Sequence, residues 1–432
     1  MKVLWLVNIT LPRIAKENNQ PVPVVGGWLT GMLDSILVED DLEIAICFPG
    51  AFVEEITYGC IDNLQYYCFP QKDGEIKQYN SGLSSTFKQI IEEFKPDIIH
   101  IWGTEYPQTY SMICAGNIDR IVISISGMVS VIAHHYYGNI PEKYHKKKWM
   151  MRLLSKLMPR DVNILSMGKE DFEKRGAYEV AAVKKAKHIT GRTDWDKACT
   201  KQINSDVSYY YCNETLREIF YNANWKIENC KRHTIFVSQA GYPIKGLHKL
   251  LEALPIILKR FPDAHVYVGG TALIKNRGLI KNWAYNLLNP YASYLKQLIK
   301  RKKLGNHVTF LGPLDEKSMC EQYLNANLFV LPSYIENSPN SLGEAMLLGV
   351  PCIAADVGGV KNMLVHKEEG FIYPFNEYYM LAYYICEVFS SDELAIQFSE
   401  KARQHALITH DRECNRKNLI DIYLHVFNLN QE

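Results

Sequence analysis

Short runs of β-branched and aromatic residues alternate along this chain with longer stretches in which apolar positions recur every three to four residues. The first pattern predicts buried strands and the second predicts helices with one apolar stripe. Alternation of this kind implies parallel sheets joined by crossover helices. In the first half, strands are predicted at 3–8, 43–48, 97–102, 121–126, 163–167 and 188–191, with a helix over 28–37. Residues 213–232 are polar with scattered aromatics and keep no clean period, which marks a junction. Beyond it the alternation restarts, with strands at 233–238, 265–268, 308–311, 328–331 and 351–355 and helices at 247–260, 316–325 and from 341. The expected fold class is therefore α/β, with two Rossmann-like, doubly wound domains over 1–212 and 233–375. A helical tail over 376–432 is long enough to pack back on the first domain.

Length and composition fit that division. A chain of 432 residues holds two domains of ordinary size. With 47% hydrophobic and 22% charged residues it can build two cores and is not a disordered polymer. A net charge of +1 argues against a protein that binds by neutralising nucleic-acid phosphates. The 11 cysteines include no C-x-x-C pair, so reduced thiols are expected, with neither a disulfide framework nor a zinc site. The apolar run at the start is too short for a signal peptide and reads as a first strand. The stretch 121–133, broken by Ser and Gly, falls short of the roughly 18–20 residues of a spanning helix. A cytoplasmic protein is expected.

In open parallel sheets ligands bind beyond the carboxyl ends of the strands, so polar motifs that directly follow strands are the candidates for chemistry. The densest is LPSYIENSPNSLGEAM over 331–346, followed by GVPCIAADVGG over 349–359. There a strand ends, a loop carries Glu336, and a helix opens near Asn340, Ser341 and Leu342 with Glu344 inside it. Amides at a helix N-terminus form an anion site suited to a diphosphate. A carboxylate beside it accepts hydrogen bonds from sugar or ribose hydroxyls. Ser341-x-x-Glu344 also reads as a capping box, which accounts for Glu344 but not for Glu336 or the Gly358-Gly359 turn. A second motif, SQAGYPIKGL over 238–247, follows the first strand of the second half. Its Lys245 can place a point charge on donor phosphates as they become a leaving group.

The two glutamates separated by seven residues, then E-A-M, G-x-P and G-G, resemble the donor-binding signature of retaining GT-B glycosyltransferases of family 4. The resemblance covers essentially all of 233–375 and, more loosely, the first half. It implies two domains facing each other across a cleft, with the acceptor held by the first and a nucleotide-diphosphate sugar by the second. By that resemblance Glu336 contacts the transferred sugar, Glu344 the ribose, and the amides of Asn340, Ser341 and Leu342 the phosphates. The loop carrying Leu314 holds the base through backbone groups. The Gly26-Gly27 pair, between the first strand and the next helix, stands where the family has a glycine-rich loop that approaches a diphosphate. Two departures stand out: Ala240 replaces an arginine usual five residues before the lysine, and Val360-Lys361-Asn362 lacks an acidic residue usual after the double glycine.

The first half adds candidates of its own. Arg192, in GRTDWD over 191–196, is a candidate for the cation missing at position 240 or for a salt bridge to Asp194 or Asp196. His134 and Asp194 are candidates for the acceptor side. Asp194-x-Asp196 also matches the D-x-D of metal-dependent transferases, a three-residue match that arises easily by chance. Two basic, aromatic-bearing stretches, 143–157 and 275–303, suit either a solvated helix or contact with an anionic membrane surface.

The expected reaction is transfer of a sugar, with retention and without a metal, from a nucleotide-diphosphate sugar to an acceptor hydroxyl of a saccharide or lipid-linked saccharide. A bacterial surface polysaccharide or glycoconjugate is the expected product. No cofactor and no nucleic acid are expected, and any membrane contact would be peripheral, at the inner face. Two rivals remain: a non-catalytic relative that partners an active transferase, and a dinucleotide-dependent oxidoreductase. No G-x-G-x-x-G follows any predicted strand, which counts against the second.

Overall fold

The computed structural model describes residues 1–20, 26–51, 53–72, 74–145, 164–271, 273–274 and 289–429. The chain forms two compact units. The first comprises 1–133, 172–217 and 409–432, and the second 134–171 and 218–408. Each is built on one of the two doubly wound sheets that the alternation predicts.

The first sheet contains β1 (Lys2–Leu6), β2 (Glu43–Gly50), β3 (Thr57–Ile61), β4 (Leu64–Pro70), β5 (Ile98–Trp102), β6 (Ile121–Ser124), β7 (His188–Gly191) and β8 (Ser208–Tyr211). Their order is β3-β4-β2-β1-β5-β6-β7-β8, parallel except for the β3–β4 pair. Alternate residues of β1 enter opposite cores: Leu4 and Leu6 on one face, Val3 and Trp5 on the other. The second core also takes Leu419, Ile422, Tyr423 and Val426 from the last helix, Arg412–Asn428. Tyr423 anchors that helix with its hydroxyl, which accepts from Trp5 Nε1 at 3.0 Å and meets His100 Nδ1 at 2.5 Å. The other ring nitrogen, Nε2, meets Ser124 Oγ at 2.7 Å. Burial lowers the His100 pKa to about 3, in keeping with a neutral ring.

The second sheet contains β9 (Lys231–Val237), β10 (His265–Gly269), β11 (Val308–Gly312), β12 (Ala326–Leu331), β13 (Cys352–Asp356) and β14 (Gly370–Pro374). All are parallel, in the order β11-β10-β9-β12-β13-β14. The chain leaves β9 toward one edge and β12 toward the other, so the strand order reverses between these neighbours. Loops departing in opposite directions open a crevice at such a point. Three helices, Tyr378–Ser390, Asp392–Thr409 and Arg412–Asn428, make up the helical C-terminal part.

One expectation is corrected. Residues 164–167, predicted as a strand, instead begin the 22-residue helix Ile164–Lys185. A stretch as short as Ile164-Leu165-Ser166-Met167 has no readable period, and the charged, helix-forming residues that follow decide its state. The strands β3, β4, β8 and β14 escaped the sequence pattern. Among the described residues no helix is long and apolar enough to cross a membrane. Residues 146–163 and 275–288, which hold most of the first basic stretch and about half of the second, lie outside the described residues, and the rest of the second forms the helix Pro290–Arg301.

Candidate active site

The strongest site is built at the point where the strand order of the second sheet reverses. β9 ends at Val237, and the chain turns through Pro243–Lys245 before the helix Leu247–Ile257. β12 ends at Leu331, and its loop carries Ser333 and Glu336 before the helix Asn340–Leu348. Because β9 and β12 are hydrogen-bonded neighbours, the two loops meet. Tyr334 N donates to Ile244 O at 2.7 Å, and Lys245 Nζ donates to Glu336 Oε1 at 2.6 Å. Ser333 Oγ donates to the same carboxylate oxygen at 2.7 Å. Burial by itself would lower the Lys245 pKa, but the Glu336 carboxylate outweighs it and holds the ammonium above the usual lysine value. Lys245 is therefore charged at any physiological pH.

The backbone of Glu336 is fixed from the far side by the double glycine. Gly359 N donates to Glu336 O at 3.1 Å, while Gly358 adopts φ +51. A Cβ on Gly358 would collide with that same carbonyl oxygen. Only glycine meets both demands, so the Gly358-Gly359 turn is a brace for the Glu336 loop.

The helix Asn340–Leu348 opens beside this pair. Its N-cap is Pro339, in extended conformation, which offers no side-chain acceptor to the first-turn amides. The capping-box explanation of Glu344 therefore fails, since Ser341 lies inside the helix. Leu342 and Glu344 are buried. The Tyr323 hydroxyl, from the helix Glu316–Asn325, donates to Ser341 O at 2.9 Å and lies 3.5 Å from Glu344 Oε2. Tyr323 thus ties the start of one helix to the carboxylate in it. Leu314, in the loop after β11, packs toward Gly269 at the end of β10. Ala240 is fully buried on the β9 side.

The segment 134–145, far earlier in sequence, also reaches the Lys245 turn. Tyr136 stacks on Tyr242 with ring centroids 6.3 Å apart. His248 Nε2 bonds Gly138 O at 2.9 Å, its pKa lowered to about 3 by burial. His134 itself is exposed, in the turn Ala133–His135.

The first unit gathers its candidates differently. Arg192 Nη1 pairs with Glu214 Oε2 at 2.7 Å, with both side chains buried. Asp196 completes a capping box with Thr193 at the start of the helix Asp194–Ile203. Asp194 Oδ1 accepts from the Tyr211 hydroxyl at 2.5 Å. Both carboxylates of the D-x-D are thus engaged by the protein itself. Gly26 caps the helix Gly27–Ile36 with φ +79. The spaces where Cβ atoms of Gly26 and Gly27 would stand are taken by the Ile9 and Arg217 side chains. Two groups that the sequence did not single out also matter: Ser333, which shares the Glu336 oxygen, and Tyr323.

Residues 221–405 match the family described as glycosyl transferases group 1. Spore coat protein SA of Bacillus subtilis is 28% identical over 196 residues, 45% of this chain and 48% of that protein. The chain spans about half the length, or less, of the curated relatives it matches. Among solved structures, sucrose-phosphate synthase from Thermosynechococcus elongatus superposes with TM-score 0.70 at 14% identity, covering 99% of each chain. HepE of Anabaena, solved with UDP and glucose, gives TM-score 0.64 at 16% identity over 98% of this chain and 99% of that one. At such identities the structural likeness establishes the fold, which is that of GT-B glycosyltransferases.

Proposed function

We propose that this chain, whose residues 221–405 match the family described as glycosyl transferases group 1, transfers a sugar, with retention and without a metal, from a nucleotide-diphosphate sugar to an acceptor hydroxyl. The observation that carries the proposal is the Lys245–Glu336 pair at 2.6 Å beside the start of the helix Asn340–Leu348. One point at the carboxyl ends of β9 and β12 then holds a permanent cation, a carboxylate and a helix N-terminus. The cation and the helix dipole suit a diphosphate. The carboxylate suits the hydroxyls of the sugar attached to it.

In the reaction the bond from the anomeric carbon to the diphosphate oxygen breaks, one to the acceptor oxygen forms on the same face, and the acceptor hydroxyl's proton passes to the departing diphosphate. Lys245 and the amides of Asn340 and Ser341 stabilise the charge that grows on the departing diphosphate, while the Leu342 amide is taken by Pro339 O at 2.9 Å. Glu336 orients the sugar, and Glu344 accepts from the ribose. The loop at Leu314 holds the base. Arg192 answers the buried Glu214 carboxylate and has a structural role. The acceptor is a saccharide or a lipid-linked saccharide, reached by a cytoplasmic enzyme at the inner face of a membrane, and the product is a surface polysaccharide or glycoconjugate. A relative crystallised with UDP and glucose supports the donor class.

A thermal-stabilisation screen of UDP-, GDP-, ADP- and CDP-sugars tests this reading, because a ligand that binds the folded state raises its melting temperature by mass action. One nucleotide class is expected to stabilise the chain, and its slow hydrolysis or transfer is expected to survive EDTA. Absence of stabilisation by every nucleotide sugar overturns the proposal.

A further inference from the structure

The two basic, aromatic-bearing stretches of the sequence lie far apart in the chain, yet their described parts meet within the second unit. The first begins at the turn Glu142–Tyr144, and the second ends with the helix Pro290–Arg301 and the residues just past it. The Tyr144 ring packs on Tyr294 with centroids 4.9 Å apart, and the Tyr144 hydroxyl donates to Gln297 Oε1 at 2.6 Å. That contact sets the turn against the helix, with the Lys143 ammonium over the Tyr144 ring.

Apolar and charged positions divide the helix into two faces. Tyr291, Ala292, Tyr294, Leu295 and Leu298 are buried, so the face with Lys296, Ile299 and Lys300 is left at the surface. Lys303, just past the helix end, continues that face at the helical interval. Its N donates to Lys300 O at 3.2 Å and Leu304 N to Ile299 O at 2.9 Å, a stop in which a left-handed residue follows the helix. Lys303 holds that left-handed position, φ +57, where glycine would be unstrained. Lys296, Lys300 and Lys303 then line one open groove of about 310 Å³, together with Ile274, Ile299 and Asn306.

Basic residues in the last turn offset the negative end of a helix dipole, which accounts for Lys300 and Arg301. It does not account for Lys296 a turn earlier, or for Lys302 and Lys303 beyond the end. Nor does it explain why residues 264–314 hold eight Lys and Arg and no Asp or Glu in a chain of net charge +1. Among the described residues no carboxylate pairs with Lys143, Lys300, Arg301, Lys302 or Lys303. Glu252, on the neighbouring helix Leu247–Ile257, is answered by Lys249 at 3.1 Å, and Glu142 is the acid of the adjoining turn.

We infer that this face, with Lys143, Lys296, Lys300 and Lys303 around Ile274 and Ile299, docks the chain on an anionic lipid bilayer. Lysine stems carry their ammonium groups out to headgroup phosphates, while the isoleucines meet the apolar layer beneath. A free phosphate gains most from a pocket that encloses it, whereas an open groove with apolar residues between cations suits a lipid surface. The inference deepens the proposed location at the inner face of a membrane and rests on that reading for the bilayer alone, not for sugar transfer.

Flotation of the full chain with vesicles tests this, using phosphatidylcholine alone and an equimolar mixture with phosphatidylglycerol. Binding to the mixed vesicles alone is expected, weakening as salt screens the surface charge. Lys296→Gln, Lys300→Gln and Lys303→Gln together should weaken it about a hundredfold, each lysine near an anionic surface being worth roughly fivefold. Lys259→Gln, Lys317→Gln and Lys401→Gln remove the same charge from exposed positions elsewhere on the unit, and that protein should bind nearly as the unmodified chain does. Thermal unfolding and stabilisation by a nucleotide sugar should be unchanged in both triple variants. Equal loss in the two variants, equal binding to the two vesicles, or binding to neither overturns the inference. Stabilisation by inorganic phosphate that the first variant loses, without vesicle binding, overturns it in favour of a soluble phosphate ligand. Vesicle binding as expected, with no response to any nucleotide sugar, would sink the transferase reading and leave this surface standing.

Discussion

Each sheet brings an ion pair to the carboxyl ends of its strands, and the two pairs are not equivalent. Lys245–Glu336 straddles β9 and β12, where the strand order reverses, and its side chains are 18% and 11% exposed. Arg192 and Glu214 follow β7 and β8, adjacent strands at one edge, and are only 5% and 6% exposed. An arginine is the stronger phosphate ligand by chemistry, being planar and able to bind in two places at once. Topology reverses that ranking here. Loops after β9 and β12 part company, whereas the segment after β8 turns back over the strand ends, with Leu216 O and Arg217 against the helix Gly27–Ile36, and covers its pair. A cation at a parting of loops can exchange a carboxylate for a diphosphate. A cation sealed with its counterion cannot do so without exposing an unpaired buried charge.

The comparison breaks most readily at the buried pair. Arg192→Ala should cost about 3–5 kcal/mol of stability, the range for leaving a buried ion without its partner. Transfer per folded molecule should change little. Denaturant melts beside rates normalised to folded protein would check both, and a stable but inactive Arg192→Ala would move that residue into the site. For Lys245→Ala the balance is expected to be opposite. Transfer should fall on the order of 10²- to 10³-fold, as when one preorganised transition-state donor is removed. Lys245→Arg separates charge from shape, since a fork-shaped cation is not a substitute for a compact one.

How much of this was legible depends on whether a feature is local. Alternation of strand and helix along the chain exposes both sheets, and motif spacing names Lys245 and Glu336. That they bond to each other across 91 positions is a fact of strand order, which no local pattern carries. The antiparallel edge pair β3–β4 went unread because Thr57–Ile61 is mostly exposed and has no buried face to impose a period. Residues 164–167 misled for the reason already given, a short stretch that suits either state. The Gly26-Gly27 pair shows the converse. The sequence shows two glycines, but not that Ile9 and Arg217 occupy the room beside them.

Glycines sharpen the contrast at an intermediate size of effect. Gly358→Ala forces a left-handed residue and drives a Cβ into the Glu336 carbonyl, so the loop must shift. A cost of about 1–3 kcal/mol is expected from the strained backbone, together with weaker donor binding, because the displaced loop carries the Glu336 carboxylate proposed to bind the sugar. Gly27→Ala meets the stem of a flexible arginine side chain instead. Its effect on donor binding should be smaller than that of Gly358→Ala, and calorimetric titration of both with the same nucleotide sugar would decide it. A larger loss at Gly27 would return the Gly26-Gly27 pair to the phosphate site.

The smallest effect is the most discriminating about what Glu336 does. Ser333 Oγ and Lys245 Nζ share Glu336 Oε1, at 2.7 Å and 2.6 Å. If Lys245 turns to a diphosphate when donor binds, the Ser333 hydroxyl still holds the carboxylate in place for the sugar. Ser333→Ala then removes a hydrogen bond worth about 1 kcal/mol without touching the charge pair. In the free protein Lys245 continues to hold Glu336, so thermal stability should drop only slightly. In the donor complex the carboxylate loses its remaining anchor, and the loss should appear in transfer rate at saturating donor, by roughly fivefold. A Ser333→Ala protein that loses stability but keeps its rate would mean that Lys245 never leaves Glu336, and phosphate stabilisation would then fall to the helix amides alone.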